Sequence, residues 1–337
     1  MKQLSVIGIS RSGKTCYLYA MAKTMLGGCA GLNVNAIDRE ASLKLKAGWR
    51  EIRRNAKWPP ATDFFTKTAF NCSLFLRPVM DFLWNDFKGG ALYSTNEVDD
   101  KFYREFEEFL ESSDGLIIFV AANELQDILL GVEDSDLIQE DLESLTELFI
   151  RNKVALSQIP VTIVISKADL LTEKEKPYVL EIVKEIFKPL FQVGNNMKVL
   201  TVPVCIGTNL GRCSQGESIQ GVVFQNPNDG NIHIPILFNL YHFLKDCISV
   251  ERANLGDIEA RIQNHKNALN RAESHNGLQR WWNGEDRDEI RQQISDARKN
   301  SQQKLEEIKN LERELDKVVS LFSGDCSYFI NGKKVSL

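Results

Sequence analysis

The chain has 337 residues, 43% of them apolar and 26% charged, enough for one large domain or two ordinary ones around a sizeable core. Lys and Arg number 41 against 46 Asp and Glu, a net charge of −5, so bulk charge argues against direct nucleic-acid binding or adhesion to an anionic membrane. The seven cysteines are scattered and odd in number, without a C-x-x-C pair, which argues against a disulfide frame or a zinc site. The first strand pattern begins almost at Met1, leaving no room for a charged and apolar leader. No stretch approaches the about 18 apolar residues of a membrane span. A soluble, cytoplasmic chain with reduced thiols is expected.

The first element is an apolar run, Leu4, Val6 and Ile7, that reads as a buried strand. It leads into Gly8-Ile9-Ser10-Arg11-Ser12-Gly13-Lys14-Thr15, the pattern G-x-x-x-x-G-K-[ST], and then into a helix-competent stretch from Cys16 to Met25. Glycines at this spacing let backbone N–H groups turn onto phosphate oxygens, and the helix N-terminus adds partial positive charge. Lys14 would reach the β- and γ-phosphates and the Thr15 hydroxyl would ligate Mg²⁺. A nucleoside triphosphate is the expected ligand.

Further along, strand-like runs fall at Phe64–Leu76, Asp81–Trp84, Gly115–Ala121, Val161–Ile165 and Val199–Cys205. Helical patterns fall at Lys14–Leu26, Asp38–Lys57, Asp99–Ser112, Asp134–Arg151, Glu173–Phe191 and Ile234–Cys247. The alternation predicts a parallel sheet with helices on both faces. Arg77-Pro78-Val79-Met80 is too short for a crossover helix, so the two strands it joins are expected to be antiparallel neighbours.

From about Glu251 the composition turns to Glu, Lys, Arg, Gln and Asn. Ile290, Ile294, Ala297, Ser301, Leu305, Ile308, Leu311, Leu315, Val318 and Phe322 recur at steps of three and four. A shorter series, Leu255, Ile258, Ile262, Leu269 and Ala272, precedes a break around Ser274–Asp288, predicting an antiparallel helical hairpin. Cys326 to Ile330, Asn331-Gly332 and Lys333 to Leu337 carry a two-residue β-hairpin signal. Such a hairpin is marginal alone, so it should pack on the main domain or join a sheet edge.

Asp86-Phe87-Lys88-Gly89 closes the third strand as a D-x-x-G element, in which Asp86 would hold Mg²⁺ through water and the Gly89 N–H would meet the γ-phosphate. Val164-Ile165-Ser166-Lys167-Ala168-Asp169 closes the fifth. Here the chain resembles the Ras-like and translation-factor-related P-loop GTPases, whose base-reading motif is [NT]-K-x-D, and in particular their bacterial stand-alone members with an S-R-x-G-K-T loop. The resemblance extends from residue 1 to about 248. It implies GTP and GDP with Mg²⁺ as cofactors, Asp169 accepting from guanine N1 and N2, and Lys167 lying over the base. Adenine offers no matching donors and would leave the carboxylate unpaired. Ser166 departs from the usual Asn or Thr but keeps a hydroxyl.

Cys205-Ile206-Gly207-Thr208-Asn209 falls where the family places its fifth motif, which implies Gly207 and Thr208 beside guanine O6. Nucleotide contacts are expected from Gly8, Ser10, Arg11, Ser12, Gly13, Lys14, Thr15, Cys16, Lys167, Asp169, Gly207 and Thr208. Metal contacts are expected from Thr15, Asp86 and Thr62. Thr62 is the candidate switch threonine, with Thr66 and Thr68 as rivals inside the second strand; Lys14, Thr62 and Gly89 would carry the catalytic electrostatics. Gly90 stands where Ras-like enzymes place a water-orienting Gln, so hydrolysis should be slow without a partner.

Asp38–Trp58 carries seven basic residues against three acidic ones. It reads as an amphipathic surface helix, with a docking face, or Arg50, Arg53 or Arg54 as an arginine finger in cis, as the functional alternatives. Trp281-Trp282 at the hairpin tip is either a docking point or a cap on the hairpin's own core. The four histidines (233, 242, 265, 275) form no ligand spacing.

The expected architecture is α/β: a P-loop NTPase G domain over 1–250, with a mostly parallel six-stranded sheet and one antiparallel strand. An α-helical coiled-coil hairpin over 251–322 and a C-terminal β-hairpin over 323–337 follow. The function implied is a GTP-binding switch that signals to a protein partner through its switch segments and helical arm. A nucleotide-locked scaffold and an ATPase are the alternatives.

Overall fold

The structure is a computed structural model that describes residues 1–29, 31–59, 67–86, 100–132, 135–211, 218–219, 221–224, 230–273, 284–322 and 325–336. In chain order the strands are β1 (Lys2–Gly8), β2 (Leu32–Ala36), β3 (Lys67–Leu74), β4 (Arg77–Asp86), β5 (Gly115–Ala121), β6 (Pro160–Ser166), β7 (Lys198–Pro203), β8 (Gly207–Thr208), β9 (Val222–Val223), β10 (Ser327–Ile330) and β11 (Lys333–Val335). The helices are α1 (Lys14–Thr24), α2 (Arg39–Asn55), α3 (Asp100–Glu111), α4 (Ala122–Leu130), α5 (Ser135–Arg151), α6 (Lys153–Gln158), α7 (Lys176–Ile186), α8 (Lys188–Phe191), α9 (Ile234–Glu273) and α10 (Gly284–Ser320). They form two compact units, one of Met1–Asn239 with Leu321–Leu337, the other of Leu240–Ser320. α9 runs unbroken across residue 250.

Among the described residues the first unit is built on a nine-stranded sheet in the order β11-β10-β7-β6-β5-β1-β4-β3-β2. The six-stranded expectation is corrected by β2 at one edge and by β10 and β11 at the other. The single antiparallel strand is likewise corrected: β3 opposes β4 and β2, and β10 opposes β7 and β11. β7, β6, β5, β1 and β4 are mutually parallel. Every residue of β5 and of β6 is buried, as a parallel strand covered on both faces requires.

One face of the sheet carries Phe106, Phe109, Leu125, Leu142, Leu145, Phe149, Val179 and Val183 from α3, α4, α5 and α7. The other carries Tyr17 of α1, whose ring stacks on Trp84 at 5.8 Å and meets Phe119 edge-on at 5.1 Å. α2 starts on Asp38, whose side chain accepts from Ala41 N at 2.6 Å, and it buries Leu45, Trp49 and Ile52. Leu43 on the same helix is 57% exposed. No helix among the described residues is long and apolar enough to cross a membrane.

The link between β3 and β4 lies two residues earlier than expected. Phe75 and Leu76 form the turn at φ 48° and 66°, so Arg77 to Met80 belong to β4 rather than to a connection. Non-glycine residues rarely adopt this region, and with neither Gly nor Asn at either position the sequence gives no signal for the turn. The C-terminal turn does carry one: Asn331 and Gly332 sit at φ 52° and 72°, as a two-residue hairpin turn demands. The hairpin it closes pairs Tyr328 with Leu200 and Phe329 with Val199.

In the second unit, Arg252 of α9 pairs with Glu312 of α10 at 2.5 Å and Glu251 with Lys304 at 2.9 Å. Ile294, Ile308 and Val318 are buried there, whereas Leu305 is 44% exposed. The Trp281-Trp282 pair lies outside the described residues.

Phe329 is buried in the core and meets Phe191 edge-on at 5.1 Å. Phe329→Ala should therefore lower unfolding free energy by about 3 kcal/mol. Urea unfolding of the full chain measures this, and an unshifted midpoint would show that the hairpin adds nothing to the core.

Candidate functional site

The site is built at the carboxyl ends of the parallel strands, where open α/β sheets hold ligands. Gly8 ends β1 opposite Phe119 of β5, and a Cβ there would lie 2.5 Å from the Phe119 carbonyl oxygen, so only glycine fits. The chain then turns: Ser12 N donates to Ile9 O at 3.3 Å, Arg11 adopts φ 64°, and Gly13 adopts φ 86° as the residue before α1. Lys14 Nζ folds back over this turn, donating to the carbonyl oxygens of Gly8 at 2.6 Å and Ile9 at 3.2 Å. Burial lowers the Lys14 pKa, opposed by the charges of Asp86 and Glu124.

Asp86 ends β4 opposite Val6 and is buried, and its Oδ1 has no hydrogen-bond partner among the described residues. Burial pushes its carboxyl up to about 6, with Lys14 pulling it down. The orphaned oxygen fits a role toward a cation, whose charge would remove this penalty. Among the described residues no group of three or more His, Cys, Asp and Glu could hold a metal ion by itself. A divalent ion here would thus depend on phosphate oxygens together with Asp86 and Thr15.

β6 supplies the opposite wall. Ser166 Oγ donates to the carbonyl of Ser12 at 2.6 Å and approaches that of Val120 at 3.3 Å. It lies 3.4 Å from where a Cβ on Gly13 would stand. This serine therefore links the Gly8–Thr15 loop to the ends of β5 and β6. Lys167 follows at φ 54°, and Asp169 Oδ2 accepts from Leu210 N at 3.0 Å. Burial raises the Asp169 pKa, countered by that bond, by its own backbone N–H and by Lys167. Ala168 N also donates to Val204 O at 3.2 Å, so the Ser166–Asp169 segment and the loop around Gly207 are one hydrogen-bonded assembly.

The sequence-derived residues accordingly fall into three groups. Gly8, Ser12, Asp86 and Gly207 are buried; Gly13, Lys14, Thr15, Cys16, Lys167 and Asp169 are half-buried; Ser10, Arg11 and Thr208 are exposed. Thr62, Thr66, Gly89 and Gly90 lie outside the described residues. Thr68 is the second residue of β3, opposite Trp84 and so near the Asp86 end of β4. Arg50, Arg53 and Arg54 are exposed on α2.

One residue escaped sequence reasoning. Glu124, in the first turn of α4, is 8% exposed, and burial pushes its carboxyl up to about 7 against the charges of Lys167 and Lys14. Its signal was an acidic residue just beyond a fully apolar strand, unread because no helix was expected at 122–130.

No family model matches the chain and no curated protein matches it. Among solved structures it is similar to the bacterial selenocysteine-specific elongation factor EF-Sec, with 17% identity over 60% of this chain and 26% of that one and a TM-score of 0.30. It is also similar to two structures of an oligomerised bacterial dynamin pair, described as a mechanism for long-range sensing and tethering of membranes. One has 14% identity over 92% of this chain and 48% of that one, the other 16% over 93% and 58%, both with a TM-score of 0.32. The chain thus spans 26 to 58% of the length of these proteins. Likeness at this level carries no functional argument.

Ser166→Ala should leave the buried Ser12 carbonyl without its donor and cost about 1–3 kcal/mol. Urea unfolding of the nucleotide-free chain reads this; a loss below a few tenths of a kcal/mol would show that the bond does not hold the loop.

Proposed function

We propose that the chain is a GTP-binding switch that hydrolyses GTP slowly with Mg²⁺. The observation that supports this most is the joining of the Gly8–Thr15 loop to the Ser166–Asp169 segment by the Ser166–Ser12 bond, with Asp86 buried beside Lys14. Backbone N–H groups of the loop and the Lys14 ammonium would bind phosphates. Thr15, Asp86 and Thr62 would hold Mg²⁺, which when bound neutralises charge on the phosphates. Gly89 N–H would meet the γ-phosphate. Asp169 and Lys167 would bind guanine, with Gly207 and Thr208 at its O6 edge.

Lys14 is the residue with most to gain from phosphate. It is half-buried and its donors rest on two main-chain carbonyls, a weaker arrangement than a phosphate oxygen offers. Protein partners would engage the switch segments and the helical arm, in the cytoplasm. Gly90, in the place of a water-orienting Gln, favours a second reading, in which nucleotide is held with negligible turnover and the chain serves as a scaffold. Turnover with and without partners separates the two.

Binding of labelled GTP, GDP and ATP in the presence of Mg²⁺ tests the proposal. Lys14→Ala should weaken every nucleotide by at least about tenfold, and Asp169→Ala should abolish a guanine preference of about a hundredfold. Wild-type protein that binds ATP as well as GTP would overturn the guanine assignment and leave a P-loop ATPase.

A further inference from the structure

Glu124 has no part in the nucleotide contacts or the metal set just proposed, yet its position is specific. β5 lies between β1 and β6, with Phe119 opposite Gly8 and Ala121 opposite Ser166. α4 leaves β5 directly, so Glu124 is three residues beyond the partner of Ser166 and five beyond the partner of Gly8, at the strand ends that carry the phosphate loop. Its carboxylate accepts from Ala121 N–H, the reach-back of a residue at the third helical position, and this accounts for a role in starting α4. It does not account for Oε2, which is buried with no hydrogen-bond partner among the described residues. A helix start could be capped from the surface, whereas a carboxylate in this position incurs a desolvation cost that nearby positive charge offsets alongside the Ala121 N–H. Those charges are the ammonium groups of Lys167 and Lys14.

From this cluster we infer that Glu124 is a built-in counter-charge to the nucleotide-binding lysines. It compensates Lys14 and Lys167 in the empty site and opposes incoming phosphate, so it sets how fast nucleotide is released. The inference rests on the GTP-binding reading above. The reasoning is a competition. In the empty protein Lys14 is a desolvated cation, and Asp86 and Glu124 supply its balancing charge. Bound nucleotide brings several negative charges to the same lysine, and Mg²⁺ compensates those near Asp86. Glu124 remains as an anion beside an anion, in a site where charge is weakly screened. Glu124 touches neither nucleotide nor metal in the proposed contacts; it acts by its charge, which balances Lys14 and Lys167 and repels the phosphates.

The sign of the effect separates this role from a purely structural one. Loss of a structural residue loosens the site and weakens binding, whereas loss of a repelling charge tightens it. The experiment is dissociation of fluorescent GDP from the full chain in Mg²⁺, at about pH 8 so that the carboxyl is ionised. Glu124→Gln, which keeps the shape and an acceptor for Ala121 N–H, should release GDP roughly tenfold more slowly than wild type. Glu124→Asp, which keeps the charge, should stay near the wild-type rate, and Glu124→Ala supplies the uncharged arm if the Gln variant does not fold. Release from the uncharged variant that equals or exceeds the wild-type rate overturns the inference while leaving the nucleotide site standing. Wild-type protein that binds no GDP overturns the site itself.

Discussion

The hydrogen bond from Ser166 to the Ser12 carbonyl is the constraint on which the site depends. A loop of five residues between β1 and α1 has no regular structure to fix it, and two of its residues, Arg11 and Gly13, adopt left-handed backbone. Such a loop keeps its shape only where its surroundings over-determine it. Gly8 allows β5 to approach from one side, Lys14 closes over the turn from above, and Ser166 holds the Ser12 peptide from β6. The Gly8–Thr15 loop is thereby locked to the same strand end that presents Lys167 and Asp169. Under the proposed function, phosphate binding and base reading would share this frame, the pre-organisation a recognition site needs.

Electrostatics follows from that frame. Two lysines and two buried carboxylates gather at the ends of β1, β4, β5 and β6, and each carboxylate has one oxygen without a partner among the described residues. Burial raises both carboxyl pKa values and lowers that of Lys14, so these three charges are held at a cost. A fold selected only for stability would replace such a cluster with apolar side chains. Strongly perturbed groups in one place mark a binding or catalytic site, here one suited to an anionic ligand with an accompanying cation.

Much of this was legible in the sequence because it is local chemistry. The glycine spacing of Gly8 to Thr15, the apolar runs of β5 and β6, and Asn331-Gly332 each state their backbone requirement within a few residues. What stayed hidden depended on distant partners. The Phe75-Leu76 turn uses residues with no turn preference, held by the pairing of β3 and β4 around it. β2 is only five residues long and takes its place from β3. The hairpin was readable but its destination was not, since β7 offers its edge only once the sheet exists. Glu124 looked like an ordinary acidic residue at a helix start, and only the topology brings it to Lys14 and Lys167.

Hydrogen exchange with and without GTP and Mg²⁺ tests the central claim most directly, because it reports on the loop itself and needs no substitution. If the Ser166–Ser12 frame holds a nucleotide, amides of Ser10 to Tyr17 and of Ser166 to Leu170 should exchange more slowly in the same titration, while those of α10 should not change. Protection confined to other segments, or none at saturating nucleotide, would contradict the account and leave the loop a structural turn.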